Sequence, residues 1–506
     1  MKKNIKIFNL AVFVLLAMSL GNGCTKKFEE INTPPFLLTE EVVPPEMVFT
    51  NVLKNSIYST WGSNLFWQYA NYIHDGASGI IFQDRDWSSP WNDYTVNLVN
   101  IAAVIRLTAK DENLINENSM ARIWKVWLYQ RMTDAYGDIP YFQATLAPDN
   151  VNNQPIYDTQ REIYVDMLSE LKDAVSKLDT SSKIGFGAAD ILYKGDVKAW
   201  ARLGNSLRLR LAIRASYADP ELAKENISDA LTKPLIDNNS FNAQLKTLAG
   251  DPSTQNQNRF YVDSINAPVV FLRSLGFTIT QEMLKRSDPR LPIYSVPSNI
   301  GEYRGVPMAN SGVDTLNRYT YDSIARMGRI FYDQSYPIMV MNAAEVYLIR
   351  AEAALRGLSS EDAEQMYQEG ILASLSQWNV KPADVTNYLS SPACTLAGGA
   401  VEENLEDIAV QKYIAIIFQA REAWAEFRRT GYPKIWTGIN FGSTNGEIPR
   451  RLTYPLSEYN LNGENLAAAV TRLNGDDKMM SRMWWDAKTG VPFHHEKQGQ
   501  YPPEIY

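Results

Sequence analysis

Histidine and cysteine are close to missing from this chain. His74, His494 and His495 are its only histidines, and Cys24 and Cys394 its only cysteines. Two cysteines build no disulfide framework. Three histidines, two of them adjacent, supply no pair at the i, i+4 spacing of a helical zinc site, so His494-His495-Glu496 reads as exposed tail. No glycine-rich phosphate loop follows a strand pattern, and no G-x-S-x-G nucleophile elbow occurs. A basic stripe is lacking too. The net charge is −8, or −11 once Lys2, Lys3 and Lys6 are set aside, which argues against a nucleic-acid partner. Apart from Ile7 to Leu20, no apolar run approaches the ~20 residues of a membrane span. These absences remove most enzyme classes and leave a folded, acidic binding protein as the reading to pursue.

What is present is aromatic. The 506 residues include 27 Tyr and 12 Trp, side chains that join an apolar face to a polar handle. Hydrophobic residues make up 45% and charged residues 21%, the balance of a globular chain. The first residues are a leader: Lys2, Lys3 and Lys6 form a basic region, Ile7 to Leu20 an apolar one, and Gly21-Asn22-Gly23 leads to Cys24. This resembles a bacterial lipoprotein signal, with Leu20 one position upstream of the usual leucine. Cys24 would then be the acylated first residue, and its acyl chains (palmitate among them) would anchor the chain to lipid. The predicted organisation is a signal peptide over 1–23, a lipid-anchored linker over 24–45 marked by Pro34, Pro35, Pro44 and Pro45, and a single domain over 46–506.

Helical periodicity dominates that domain. Ile123, Trp124, Trp127, Leu128 and Met132 share one face, as do Ile163, Met167, Leu168, Leu171 and Val175, and Trp200, Leu203, Leu207 and Leu211. The tryptophans at that spacing are predicted core. Asp219-Pro220 opens a further helix, with proline where its missing N–H costs least. The clearest pattern is YPIMVMNAAEVYLIRAEAALRG over 336–357: a helix after Asn342, small residues along one face, and Gly357 as its stop. Ser359 is the predicted N-cap of the following helix. Another long helix is predicted over 402–429. The period fails over about 237–336 and 376–401, which read as irregular insertions lying over a helical scaffold.

Four blocks in order carry a resemblance: Tyr136-Gly137-Asp138-Ile139-Pro140-Tyr141, the 336–357 helix, Glu422-Ala423-Trp424 with Arg428-Arg429-Thr430-Gly431-Tyr432-Pro433, and Arg450-Arg451 onward to Asn465. Together, after a lipoprotein leader, they resemble the SusD/RagB family, and its SusD-like branch in particular. The polar, acidic stretch 25–32 is similar to the surface-export tether of Bacteroidetes lipoproteins. The resemblance implies a mainly α fold: four tetratricopeptide-like helical hairpins forming a scaffold, with a loop-rich, irregular side that binds ligand. It also implies a non-enzymatic protein of the cell surface, lipid-anchored in the outer membrane, without cofactor. Such a protein captures a nutrient glycan for a SusC-type TonB-dependent outer-membrane transporter.

Sugar rings are held by flat aromatic faces and by planar hydrogen-bonding groups at their rims. The stretch 83–94 holds both, with Trp87 and Trp91 as candidate stacking platforms and Asp84, Asp86 and Asn92 as candidate polar contacts. Tyr261, Tyr303, Arg304, Tyr319 and Tyr321 are further candidates in the first insertion. Two other functions stay open at this level. A machine of the same architecture could take peptides. Asp84 and Asp86 could serve as a glycosidase pair, which requires a fixed separation across a scissile bond.

Overall fold

The computed structural model describes residues 43–496 apart from 62–63, 75–87, 147–149, 251–256, 267–272, 308–319, 437–442 and the single positions 151, 183, 321, 397 and 474. Ten helices form the frame: α1 (Pro45–Trp61), α2 (Val99–Thr108), α3 (Ile115–Tyr136), α4 (Gln160–Ser176), α5 (Val197–Ala215), α6 (Pro220–Ala230), α7 (Ala343–Leu355), α8 (Ala363–Gln377), α9 (Val401–Ala415) and α10 (Ala420–Thr430). They run as four successive pairs, α2/α3, α4/α5, α7/α8 and α9/α10, stacked through α3 on α4, α5 on α7 and α7 on α9. The scaffold is therefore mainly α and assembled from hairpins, as the periodicity predicts.

Local chemistry sets the helix ends. Thr159 and Glu162 form a reciprocal capping box at the start of α4. The Asp196 side chain accepts from Lys198 N and Ala199 N at the start of α5, and Asp219 accepts from Leu222 N ahead of Pro220 in α6. Asn342 caps α7 by accepting from Glu345 N at 2.9 Å. The small face of α7 lets α8 approach closely. A Cβ on Gly370 would stand 2.6 Å from Leu348 Cγ, so only glycine fits that crossing. Trp124, Trp127 and Trp200 are buried, as their spacing predicts.

Three local expectations are corrected. Asp362, not Ser359, caps α8, through Gln365 N at 2.9 Å. The predicted helix over 402–429 is two helices, because Phe418 takes φ +69° between α9 and α10. That turn drives the Phe418 ring into the core, 4.5 Å from Phe331. The segment after Trp378 is not wholly irregular, since Pro382–Leu389 is a helix followed by a 3-10 turn at Pro392–Cys394.

An ionic junction sits where α3, α5, α7 and α10 meet. Arg214 reaches Asp134 at 2.9 Å, Glu426 at 3.1 Å and also Glu422. Arg210 grips Glu345 with two bonds of 2.6 and 2.7 Å, and Arg429 grips Glu352 and Glu426. Burial alone would raise the Glu426 carboxyl, but Arg429, Lys412 and Arg214 hold it well below the usual range. Further along, Arg450 pairs with Asp486 while Arg428 donates to the carbonyls of Asp134 and Arg450. The residue blocks that carry the family resemblance are thus bolts of the scaffold.

A candidate ligand platform of short strands

Among its described residues the first insertion alternates short helices, Arg259–Asn266, Phe277–Lys285 and Leu291–Tyr294, with very short strands. β1 (Ile73–His74) pairs antiparallel with β3 (Ser274–Leu275), and β4 (Ser295–Val296) with β5 (Arg326–Met327). β2 (Ala243–Leu245) pairs with β6 (Ile338–Met341), which leads into α7. Backbone bonds weld the first two pairs into one platform. Val306 N donates to Leu275 O at 2.9 Å, Met327 N to Arg273 O at 2.7 Å, and Ala325 N to Arg304 O at 2.8 Å.

Two glycines make this close approach possible. A Cβ on Gly276 would lie 2.0 Å from Asn71 O, and one on Gly305 would lie 2.5 Å from Gly276 O. Neither backbone could yield without parting the strands. Asn71 itself takes φ +54°, a conformation asparagine tolerates, and its Oδ1 accepts from Thr278 N at 2.9 Å. Asn71, Gly276 and Arg273 were invisible as site residues in the sequence. The only available signal was that Asn and Gly suit unusual backbone, which does not say where.

The platform collects part of the predicted site. Tyr303 is half-buried against the core, and burial raises its phenol. The neighbouring Arg304 pairs with Glu302 at 2.7 Å, and Glu302 is exposed. Tyr261 is half-buried on the helix Arg259–Asn266, whose Phe260 packs on Trp67 with ring centres 4.9 Å apart. Arg273 ties that helix to β3: its guanidinium lies over Trp67 and Phe260, 5.1 Å from each ring centre, and bonds Asp263 at 3.3 Å. Tyr303 and Arg304 thus lie on the platform, and Arg273 joins to it the helix that carries Tyr261. His74, Arg273 and Pro307, which precede or follow three undescribed stretches, all lie on or beside the same strands.

Other candidates fall elsewhere. Trp91 is a correction: it is 9% exposed, enclosed by Tyr94, Tyr136, Tyr157 and Tyr454 with ring centres 4.9 to 6.4 Å away. A ring held edge-on and face-on by four others packs the end of α3 and has no face left for a sugar. Asn92 beside it is exposed. Asp84, Asp86, Trp87, Tyr319 and Tyr321 lie outside the described residues. Among the described residues no group of three His, Cys, Asp or Glu side chains is placed to hold a metal ion, and no helix is long and apolar enough to cross a membrane. A separate cleft of about 770 Å³ lies between α1, the 188–199 turn and β2, with Lys54, Lys194 and Lys246 on its walls.

Half-buried tyrosines beside an arginine–glutamate pair can stack a sugar ring and hydrogen-bond its hydroxyls. Comparison with known proteins gives this arrangement a context. A chitin-binding protein of known structure superposes with a TM-score of 0.77 at 26% identity, covering 88% of this chain and 100% of its own. A chitin-binding SusD homologue from Flavobacterium johnsoniae gives 0.72 at 25% identity, covering 88% and 98%. A SusD homologue from Parabacteroides distasonis gives 0.75 at 26% identity, covering 87% and 97%. No curated protein matches the sequence significantly. Residues 37–455 match the family model SusD-like_2, described as starch-binding and associating with the outer membrane. The chain belongs to the SusD-like family, a binding and non-catalytic family of outer-membrane-associated proteins.

Proposed function

We propose that this protein captures a nutrient oligosaccharide at the cell surface and hands it to a TonB-dependent outer-membrane transporter of the SusC type. It would be held there by lipid on Cys24. The observation that supports the reading is the placement of Tyr303 and Arg304 on a glycine-welded strand platform, with the helix that carries Tyr261 tied to it through Arg273, in a chain of a glycan-binding family. Trp87, Asp84 and Asp86, with Tyr319, are further contacts of that reading on the strength of their residue types alone. The scaffold supplies rigidity, and the platform supplies recognition. Catalysis is not required of either.

Two relatives bind chitin, so oligomers of N-acetylglucosamine are the first ligands to try, with starch oligomers beside them. Calorimetric titration against that panel tests the reading. Binding of a glycan, weakened by Tyr303→Ala but not by Lys194→Ala in the separate cleft, supports it. Binding of peptides with no response to any glycan would overturn it. For the delivery step, co-purification with a transporter encoded beside it is the expected result, and a monodisperse protein that never associates with one would count against it.

A further inference from the structure

Between the second half of α3 and the start of α10 the scaffold holds a partly open cavity of about 40 Å³. A water needs about 10–15 Å³ of such space, so the cavity has room for a small cluster of atoms and no more. Phe66, Trp127 and Trp424 wall it on the apolar side, and the polar side carries Gln130, Gln419, the carboxylates of Asp134 and Glu422, and the guanidinium groups of Arg131, Arg210, Arg421 and Arg428.

The polar side is short of partners. Arg421 is half-buried as a residue, yet its Nε and Nη1 are sealed from solvent and bond to nothing. Its guanidinium lies 4.2 Å from the centre of the Phe66 ring, and no carboxylate of the described residues stands within ion-pair distance. Arg131 takes the nearby Asp93 at 3.1 Å and donates to Ser56 O and Ser59 Oγ, which leaves its Nε unpartnered. Gln419 is 5% exposed with both amide atoms unpartnered, and Gln130 is buried with Oε1 unpartnered. Arg214 holds the Asp134 and Glu422 carboxylates of the lining and Glu345 holds Arg210, so Arg421 has no carboxylate of the described residues at ion-pair distance, and unpartnered N–H donors stand on Arg131, Gln419 and Arg421.

A buried charge without a counter-charge costs several kcal/mol, a cost that hydrogen bonds to water relieve only in part. Burial, and then the charge of Arg131, push the Arg421 guanidinium down to about 9. We propose that the cavity binds a small monovalent anion, with chloride as its natural occupant, held by Arg421, the Nε of Arg131 and the amide N–H of Gln419. Four unpartnered donors belong to residues lining one space, the apolar walls suit a weakly hydrated ion, and a single negative charge offsets the Arg421 guanidinium, which no described carboxylate pairs. The amide oxygens of Gln130 and Gln419 are acceptors, and a water beside the anion serves them. This site is independent of the glycan reading, since it lies in the scaffold and none of its residues belongs to the strand platform.

Thermal unfolding of the purified full chain in sodium chloride against sodium gluconate, at matched ionic strength, tests the proposal. The expected result is a melting temperature that climbs by about 3 °C for a hundredfold rise in chloride above the dissociation constant. Arg421→Met should abolish that response and melt no lower than the unaltered protein in gluconate, because it removes the surplus charge. If that variant fails to fold, bromide-soaked crystals of the unaltered protein decide: an anomalous peak within reach of Arg131, Gln419 and Arg421 supports the site. A chloride response that survives Arg421→Met, no difference between chloride and gluconate, or a cavity holding only water in bromide would each overturn it.

Discussion

The junction that holds the helices together and the platform that presents the candidate ligand residues are built by opposite means. At the junction, side chains do the binding: Arg210, Arg214 and Arg429 reach across α3, α5, α7 and α10 to buried carboxylates. At the platform, side chains are kept out of the way. Asn71, Gly276 and Gly305 approach so closely that backbone bonds carry most of the joining of β1, β3, β4 and β5, with Tyr303 and Arg304 on the same strands' edge. The difference teaches where each kind of residue can vary. Junction residues are fixed by charge partners at several helices at once, whereas a platform needs only its small residues, so its recognising side chains can change without unfolding the protein.

The sharpest way to break this contrast is at Glu426. Three cations, Arg214, Arg429 and Lys412, depend on it at 3.1, 2.7 and 2.9 Å. Glu426→Ala should cost about 3–5 kcal/mol in denaturant unfolding, the range for removing one partner of a buried ion pair. Glycan affinity, measured where the variant remains folded, should stay the same. The pH dependence carries a definite sign. Because the folded carboxyl is depressed, its contribution is fully present above the unfolded value of about 4.3 and fades as pH falls through the folded one. The stability gap between the unaltered protein and Glu426→Gln should therefore be constant from pH 7 to 5 and close below pH 4.

Gly276→Ala is the counterpart at the platform. Its Cβ would meet Asn71 O, so the expected cost is about 1–3 kcal/mol together with a loss of glycan binding. Tyr303→Ala should weaken glycan binding about three- to tenfold, as stacking worth about 0.5–1.5 kcal/mol implies, with the melting temperature nearly unmoved. The smallest effect concerns Cys394. Its thiol is fully buried in the scaffold, and burial pushes it up to about 12. At pH 8 the peptide holding Cys394 should stay unlabelled by a thiol reagent in the native protein and react only on unfolding. Early labelling would mean that the scaffold opens locally.

The scaffold was legible because its signals are long and repeated. The apolar face of α3, the capping residues Asp196, Asp219 and Asn342, and the small face of α7 each specify helix over many residues. The break at Phe418 was not legible, since apolar residues run through it and only the ring's place in the core explains its turn. Strands of two residues carry no period, so the platform was read as irregular. Tyr261, Tyr303 and Arg304 could be named from residue type, but not placed on a helix tied to the strands or on the strands themselves. Trp91 failed for the converse reason. An aromatic outside a helical pattern looks the same whether it meets a sugar or, as here, four tyrosines.

The central claim is that the platform and the stretches leaving it hold a glycan while the scaffold does not. Calorimetry on the unaltered protein, Trp87→Ala and Tyr303→Ala, with chitin and starch oligosaccharides, tests it most directly. The account predicts a saturable glycan isotherm, lost or weakened about tenfold in Trp87→Ala and less in Tyr303→Ala, with both variants melting like the unaltered protein. Equal affinity in all three proteins, or binding of no glycan at all, would contradict it.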